Sequence, residues 1–436
     1  MSGMNFFAKA GGCLQGRLRV PGDKSISHRA IMLASLAEGT TEISGFLEGE
    51  DCLATLAAFR AMGVSIEGPY QGHVVVSGVG MRGLTAPEQP LYMGNAGTAM
   101  RLLTGLLVGQ SFDSVLTGDP SLSRRPMQRI ILPLEKMGAV IESNAAGTAP
   151  LTIRGGNKLQ GIDYVLPMAS AQVKSCLLLA GLYAAGSTCV IEPAPTRDHT
   201  ERMLAGFGYS LEQNDQKVCL HGGGRLQARA IEVPADISSA AFFLVGASIA
   251  PGSDLLLEHV GINPTRTGVI AILRLMGADI EISNERLIGG EGVADIRVRA
   301  APLHGIVIPE ELVPLAIDEF PALFVAAACA EGETVLRGAA ELRVKESDRI
   351  QVMADGLQTL GIVAHATPDG IIVRGGSSLA GGDIESHGDH RIAMAFAMAA
   401  LRADSTLRIR DCNNVNTSFP DFVKHAYSVG LDIEQV

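Results

Sequence analysis

RAMGVSIEG, residues 60–68, occurs in six versions along the chain. EKMGAVIES (135–143), AGFGYSLEQ (205–213), RLMGADIEI (274–282), QTLGIVAHA (358–366) and YSVGLDIEQ (427–435) share its plan: a helical run ending in an apolar residue and glycine, then a short strand. The glycines are Gly63, Gly138, Gly208, Gly277, Gly361 and Gly430, spaced 69 to 84 residues apart. Each stands where a helix C-terminus turns into a strand, a position that favours left-handed geometry. Second strands such as HVVVSG, LTIRGG, KVCLHGG, DIRVRA and IIVRGG follow most of them. The segments between also correspond. PGDKSISHRAIMLASLAEGT (21–40), MGNAGTAMRLLTGLLVGQ (93–110), PMASAQVKSCLLLAGLYAAGS (167–187), PADISSAAFFLVGASIAPGS (234–253), AIDEFPALFVAAACAEGE (316–333) and HGDHRIAMAFAMAALRADS (387–405) each place a small-residue helix after a short polar junction.

The unit is therefore β-α-β-α-β-β, and its Ala/Leu/Met-rich helix is expected to be buried. Units this large suit two α/β domains of three rather than a solenoid. The break is placed near Pro234, giving one domain of residues 22–233 and another of 1–21 plus 234–436. A short strand from Gly16 to Val20 is expected to return to the C-terminal domain.

Composition narrows the function. At 436 residues the chain can bury large cores without staples. It has 51 glycines, above the usual share of about 7%, which implies many tight turns. A net charge of −11, aromatics at 4% and no Trp weigh against a nucleic-acid binder or an anionic-membrane binder. The seven cysteines are scattered and never spaced C-x-x-C; they read as free thiols packed in cores in a reducing compartment. The N-terminus shows no signal peptide, and Ile237–Ser253 reads as a buried helix and turn rather than a membrane span.

Polar residues concentrate where the buried helices begin: Asp23, Lys24, Ser25, His28 and Arg29; Asn95, Thr98 and Arg101; Ser170, Gln172 and Lys174; Asp318 and Glu319; His387, Asp389, His390 and Arg391. Helix N-termini favour anions, and added Lys and Arg build an anion pocket in an acidic protein. Two further basic clusters, Ser123-Arg124-Arg125-Pro126 and Arg343 to Arg349, precede second helices. Ser25, Asn95, Ser170 and Asp236 taken singly are N-cap candidates, and Arg343 to Arg349 could be a solvated helix face; repetition in one register favours the pocket. Unit four, with Asp236, Ser238 and Ser239, lacks the cation.

Four resemblances to other sites fail. Gly78 to Gly83 matches G-x-G-x-x-G, but LTAPEQP rather than a helix follows. Gly22-Asp23-Lys24-Ser25 lacks both P-loop glycines. His387, Asp389 and His390 have no further ligand, so no metal is expected. Asp198-His199 has no nucleophilic partner and reads as shaping a loop.

In order and spacing, PGDKSISHRA, GNAGTAMRLL, LSRRPM, ASAQVKS, TRDHTE, AIDEFPAL, RVKESDRI, GDHRIAM and NTSFPDF resemble the 5-enolpyruvylshikimate-3-phosphate synthase family from Pro21 to Phe422. The resemblance implies the enolpyruvyl transferase fold, an inside-out α/β barrel in two domains with the active site in the cleft. It implies transfer of the enolpyruvyl group of phosphoenolpyruvate to the 5-hydroxyl of shikimate 3-phosphate, in aromatic amino-acid biosynthesis, by a cytoplasmic monomer without metal or organic cofactor. It assigns shikimate 3-phosphate to Lys24, Ser25, Arg29, Ser170, Ala171, Gln172, Arg197, Asp318 and Lys345. It assigns phosphoenolpyruvate to Lys24, Gly97, Arg125, Gln172, Arg349 and Arg391. Asp318 is implied as the base, and Glu346 with Lys24 as the proton shuttle. Leu102, Ser170-Ala171-Gln172 and Thr417 depart from glyphosate-sensitive members, which carry a Pro, a Ser-Ser-Gln and a Lys there, so reduced glyphosate sensitivity is expected. The alternatives are the sister UDP-N-acetylglucosamine enolpyruvyl transferase, whose loop cysteine is missing between Leu116 and Pro126, and a non-catalytic module on the same fold.

Overall fold

The computed structural model describes residues 3–214 and 216–436. They form two compact units: Gly22–Val233 with Ile288–Gly290, and the N-terminal segment to Pro21 with Pro234–Leu287 and Glu291–Val436. Each has its own apolar core.

All six repeats are built on one sheet plan. In the second, Leu91–Tyr92 runs parallel to Ser114–Thr117, which pairs antiparallel with Leu151–Arg154, and that strand with Val140–Glu142. The third repeats this with Asp163–Val165, Ser187–Ile191, Lys217–His221 and Leu211–Gln213. Other repeats borrow strands from far along the chain. The first takes its leading strand from Leu226–Gln227 and Ile231–Glu232, parallel to Ala37–Ser44. The fourth takes Gln15–Leu18, parallel to Asp254–Gly261. The sixth takes its last strand from Phe6–Ala8, which lies between Leu407–Arg410 and Ile433–Gln435. In the fifth, bridges His304–Glu331 and Val307–Val335 replace the leading strand.

The six junction glycines are all left-handed, with φ from 82° at Gly361 to 115° at Gly430. That geometry costs other L-residues energy and ends each second helix where its strand begins. Inside each unit, three helices form the centre: Lys24–Leu36, Gly97–Leu107 and Ala171–Gly181 in one, Ile237–Ile249, Phe320–Cys329 and His390–Ala399 in the other. Every residue of Ile237–Ile249 is buried. Each fully buried Leu or Phe here contributes roughly 1.5–3 kcal/mol. No helix among the described residues is long and apolar enough to cross a membrane.

Several expectations are corrected. Cys189 and Cys219 are not free thiols: they sit directly opposite each other on antiparallel strands, Cα atoms 4.1 Å apart, and form a disulfide. Their separation of 30 residues hides that adjacency, which only the strand register creates. Asp198 and His199 begin the helix His199–Gly206 rather than shape a loop. Ser25 lies inside the first helix, which Asp23 caps by accepting from the Ile26 N–H. Asn95 precedes the Ala96 cap position and makes no cap bond.

Small residues let the central helices touch. A Cβ built on Gly105 would stand 2.1 Å from the carbonyl oxygen of Cys176 on the neighbouring helix. Gly105→Ala is expected to lower stability by about 1–3 kcal/mol through backbone displacement, read as a lower midpoint in calorimetry. An unchanged midpoint would show that the two helices are not in this contact.

Candidate active site

In the unit containing residues 22–233, the helix starts gather a polar layer. Lys24 follows the Asp23 cap, and its Nζ lies 3.0 Å from Asp51 Oδ2. Arg29, one turn on and buried, donates from Nε to Thr200 Oγ1 at 2.7 Å, from Nη2 to Ser175 Oγ at 2.8 Å and from Nη1 to the Ser25 carbonyl at 2.9 Å. Arg125 donates to Asn95 Oδ1 at 2.5 Å, and Arg124 beside it faces solvent. Asn95 in turn donates to Asp119 at 2.7 Å. Ser170 caps the third central helix through the Val173 N–H. Gln172 accepts from Arg101 Nη1 at 2.6 Å and donates to Thr98 Oγ1 at 3.0 Å. A Cβ on Gly97 would stand 3.0 Å from Arg125 Nη1 and 3.1 Å from Arg101 Nη1, so glycine there lets two guanidinium groups reach the helix backbone. Gly97, Arg125 and Gln172 thus meet through Arg101, Ser25 and Arg29 meet in a second group, and Lys24 pairs with Asp51; Arg197 lies on the half-buried segment before His199.

In the other unit the cluster centres on Arg349, whose side chain is 1% exposed. Nε lies 2.8 Å from Asp389 Oδ2, Nη2 lies 2.6 Å from Glu346 Oε2, and Nη1 lies 3.5 Å from Asp318 Oδ1. Burial pulls its pKa down, but Asp389, Glu346 and Asp318 together reverse this and hold the guanidinium above its ordinary value. Lys345 Nζ approaches Asp318 Oδ1 at 3.3 Å. Arg391 donates to the Asp318 carbonyl at 2.8 Å. Asp389 also caps the last central helix at the Arg391 N–H and accepts from Ser347. The five residues that the resemblance assigns here, Asp318, Lys345, Glu346, Arg349 and Arg391, therefore meet. Arg343 does not join them; it is held by Asp348 and the Pro368 carbonyl. Thr417 is buried and donates to the Asn414 carbonyl. Leu102 is buried within its helix.

Sequence reasoning missed two partners. Asp51 pairs with Lys24 from the start of the next helix. Arg266 fills unit four's missing cation, with Nη2 2.6 Å from Ser238 Oγ and 3.2 Å from Asp236 Oδ1, close to the buried carboxylate of Glu319. The signal was Pro264-Thr265-Arg266, which repeats Pro195-Thr196-Arg197 of the third unit. No group of three or more His, Cys, Asp or Glu among the described residues is arranged to hold a metal ion.

Residues 8–425 match the family model described as EPSP synthase (3-phosphoshikimate 1-carboxyvinyltransferase). The chain is 71% identical to a 3-phosphoshikimate 1-carboxyvinyltransferase of Alkalilimnicola ehrlichii, over 98% of this chain and 96% of that one. It is 69% identical to the enzyme of that name from Nitrosococcus oceani, over 99% and 97%. Its fold matches the solved EPSP synthase of Acinetobacter baumannii with a TM-score of 0.90 at 60% identity, covering 99% of this chain and 100% of that one. The enolpyruvyl transferase NikO of Streptomyces tendae, 18% identical with a TM-score of 0.82 and coverage of 100% and 99%, shares the fold.

His28 gives the folding stability of this chain a pH dependence. It is wholly buried, with Nδ1 2.7 Å from Thr55 Oγ1. Burial, then Lys24 and Arg29, hold its pKa well below 6.5. Below pH ~6.5 the unfolded chain takes up a proton that the folded chain refuses, so stability falls as pH drops from that value toward the folded pKa, by at most about 1.4 kcal/mol per pH unit. His28→Gln is expected to flatten the fall in melting temperature between pH 7.5 and 5.5. An equal slope in wild type and variant would show that His28 does not set it.

Proposed function

The chain belongs to the EPSP synthase (3-phosphoshikimate 1-carboxyvinyltransferase) family, and from that premise we propose that it moves the enolpyruvyl group of phosphoenolpyruvate to the 5-hydroxyl of shikimate 3-phosphate, releasing phosphate. The observation that carries the reading is the Asp318 carboxylate set against Lys345 and Arg349, with Glu346 on the same guanidinium. Addition–elimination needs both carboxyl groups: one to take the hydroxyl proton, one to deliver a proton to the methylene carbon. Two cations stand beside Asp318, and Glu346 shares one of them, so a proton held on Glu346 requires burial on substrate binding to offset that cation.

In this reading shikimate 3-phosphate is held by Lys24, Ser25, Arg29, Ser170, Ala171, Gln172 and Arg197, with Asp318 and Lys345. Phosphoenolpyruvate is held by Lys24, Gly97, Arg125, Gln172, Arg349 and Arg391. Arg349 keeps Nε and Nη2 on Asp389 and offers the ligand the Nη hydrogens that now face Glu346 and Asp318. Both substrates carry a phosphate and a carboxylate, which guanidinium groups bind through paired charge-assisted hydrogen bonds. Protonation of the methylene carbon by Glu346, with Lys24 assisting, makes the adjacent carbon electrophilic. The 5-hydroxyl oxygen attacks as Asp318 takes its proton. The tetrahedral adduct then returns a methyl proton to Glu346 and loses phosphate, which leaves with the proton that Asp318 took. Every step uses side chains of this chain. The proposal includes a cytoplasmic location, a monomeric state and reduced sensitivity to glyphosate.

Phosphate release from phosphoenolpyruvate should require shikimate 3-phosphate and should not occur with UDP-N-acetylglucosamine; the opposite preference would assign the sister activity. Asp318→Asn is expected to lower turnover by about 10²–10⁴ with substrate binding largely kept. Near-normal turnover would reduce Asp318 to a ligand-positioning group.

A further inference from the structure

One buried charged cluster plays no part in the chemistry above. Lys174 stands in the second turn of the helix Ala171–Gly181, two residues after Gln172, with its side chain 2% exposed. Its Nζ lies 2.7 Å from Glu192 Oε2 and 2.7 Å from Glu201 Oε1. Glu192 follows the strand Ser187–Ile191, and Glu201 lies in the first turn of His199–Gly206. One ammonium group therefore ties down both ends of the 193–198 segment that carries Arg197. The other Glu192 oxygen accepts from Thr196 Oγ1, so the residue before Arg197 is held by the same group. Thr200, on the far side of Arg197, donates to Ser175 at 2.7 Å and accepts from Arg29.

This is a costly way to pack a core. Burying three charges is often no more stabilising than apolar side chains of similar size. Burial pulls the Lys174 pKa down, but Glu201 and Glu192 reverse this and hold it above its ordinary value. Burial raises that of Glu201, with Lys174 opposing. An ion cluster does what apolar packing cannot: it sets direction, because the charges have defined partners.

We propose that Lys174 is a positioning residue for substrate recognition: through Glu192, Thr196 and Glu201 it fixes the 193–198 segment so that Arg197 is preset for the anionic group of shikimate 3-phosphate. The inference rests on the binding role given to Arg197 above. Lys174 touches neither substrate.

The test combines steady-state kinetics with a double-mutant cycle. Lys174→Met with Glu192→Gln and Glu201→Gln removes the cluster without leaving a buried charge unpaired. It should raise KM for shikimate 3-phosphate on the order of tenfold, the scale of one charge-assisted hydrogen bond, with kcat at saturation changed less than about threefold. Adding Arg197→Ala to that background should cost less than about threefold more, because its effect is already spent. Lys174→Arg alone, which keeps the cation, should stay near wild type. An unchanged KM, or effects that multiply, would overturn the proposal. Should the triple variant fail to fold, Thr196→Val, which cuts only the Glu192 link, carries the same cycle with the same outcomes. Arg197→Ala in an otherwise unchanged chain separates the premises. If it leaves KM unaltered, Arg197 is not a substrate contact and the inference falls with it. If wild type releases no phosphate at all, the activity itself is misassigned.

Discussion

A helix buried along most of its length can hand few of its first-turn N–H groups to water, and in this fold six central helices share that need. Four of the central helices meet it with side chains: Asp23, Ser170, Asp236 and Asp389 accept from first-turn N–H groups. The helices beginning at Gly97 and Phe320 make no side-chain cap bond. They start beside Arg125 and Arg101 in one unit and beside Asp318 and Glu319 in the other. The apolar remainder of each helix leaves no other place for charge within the core, so caps, cations and carboxylates accumulate at one end of each unit. The candidate chemistry is thus located by a folding requirement: the same end must be polar whether or not a substrate is bound.

That requirement is also why so much was legible. Left-handed glycines at a fixed register and caps before Ala-rich helices are local signals, and they exposed the repeat, its six helices and the residues that meet around Asp318. What stayed hidden depends on long-range register. A two-residue strand such as Leu226–Gln227 has no alternation to read, yet it completes the first repeat's sheet. Phe6–Ala8 completes the sixth from the other end of the chain. Cys189 and Cys219 became partners only through the pairing of their strands. Asp23, rather than Ser25, proved to be the cap because the helix begins two residues earlier than a Ser cap would require. Asp51 faces Lys24 because two helices of one repeat pack together, which no spacing rule encodes.

Burial then sorts cations that look alike in sequence. Lys24 and Lys345 have side chains 19% and 22% exposed and each meets a carboxylate at about the same range, 3.0 and 3.3 Å. Their own ammonium groups stay partly in water, but the carboxylates they meet, Asp51 and Asp318, are only 7% and 14% exposed, so a group that took either lysine would leave a largely buried carboxylate in need of another partner. Lys174, Arg266 and Arg349 are no more than 3% exposed. Separating any of them from its carboxylates would strand a charge in low dielectric, which costs about 3–5 kcal/mol. These three therefore act mainly as internal ties, and only the part of such a group that lies at the edge of its cluster can be offered to a ligand. For Arg349 that part is Nη1, on Asp318, and the side of Nη2 on Glu346; both carboxylates are less buried than Asp389, which Nη2 also reaches at 3.3 Å. The buried Asp389 contacts to Nε and Nη2 keep the guanidinium plane fixed.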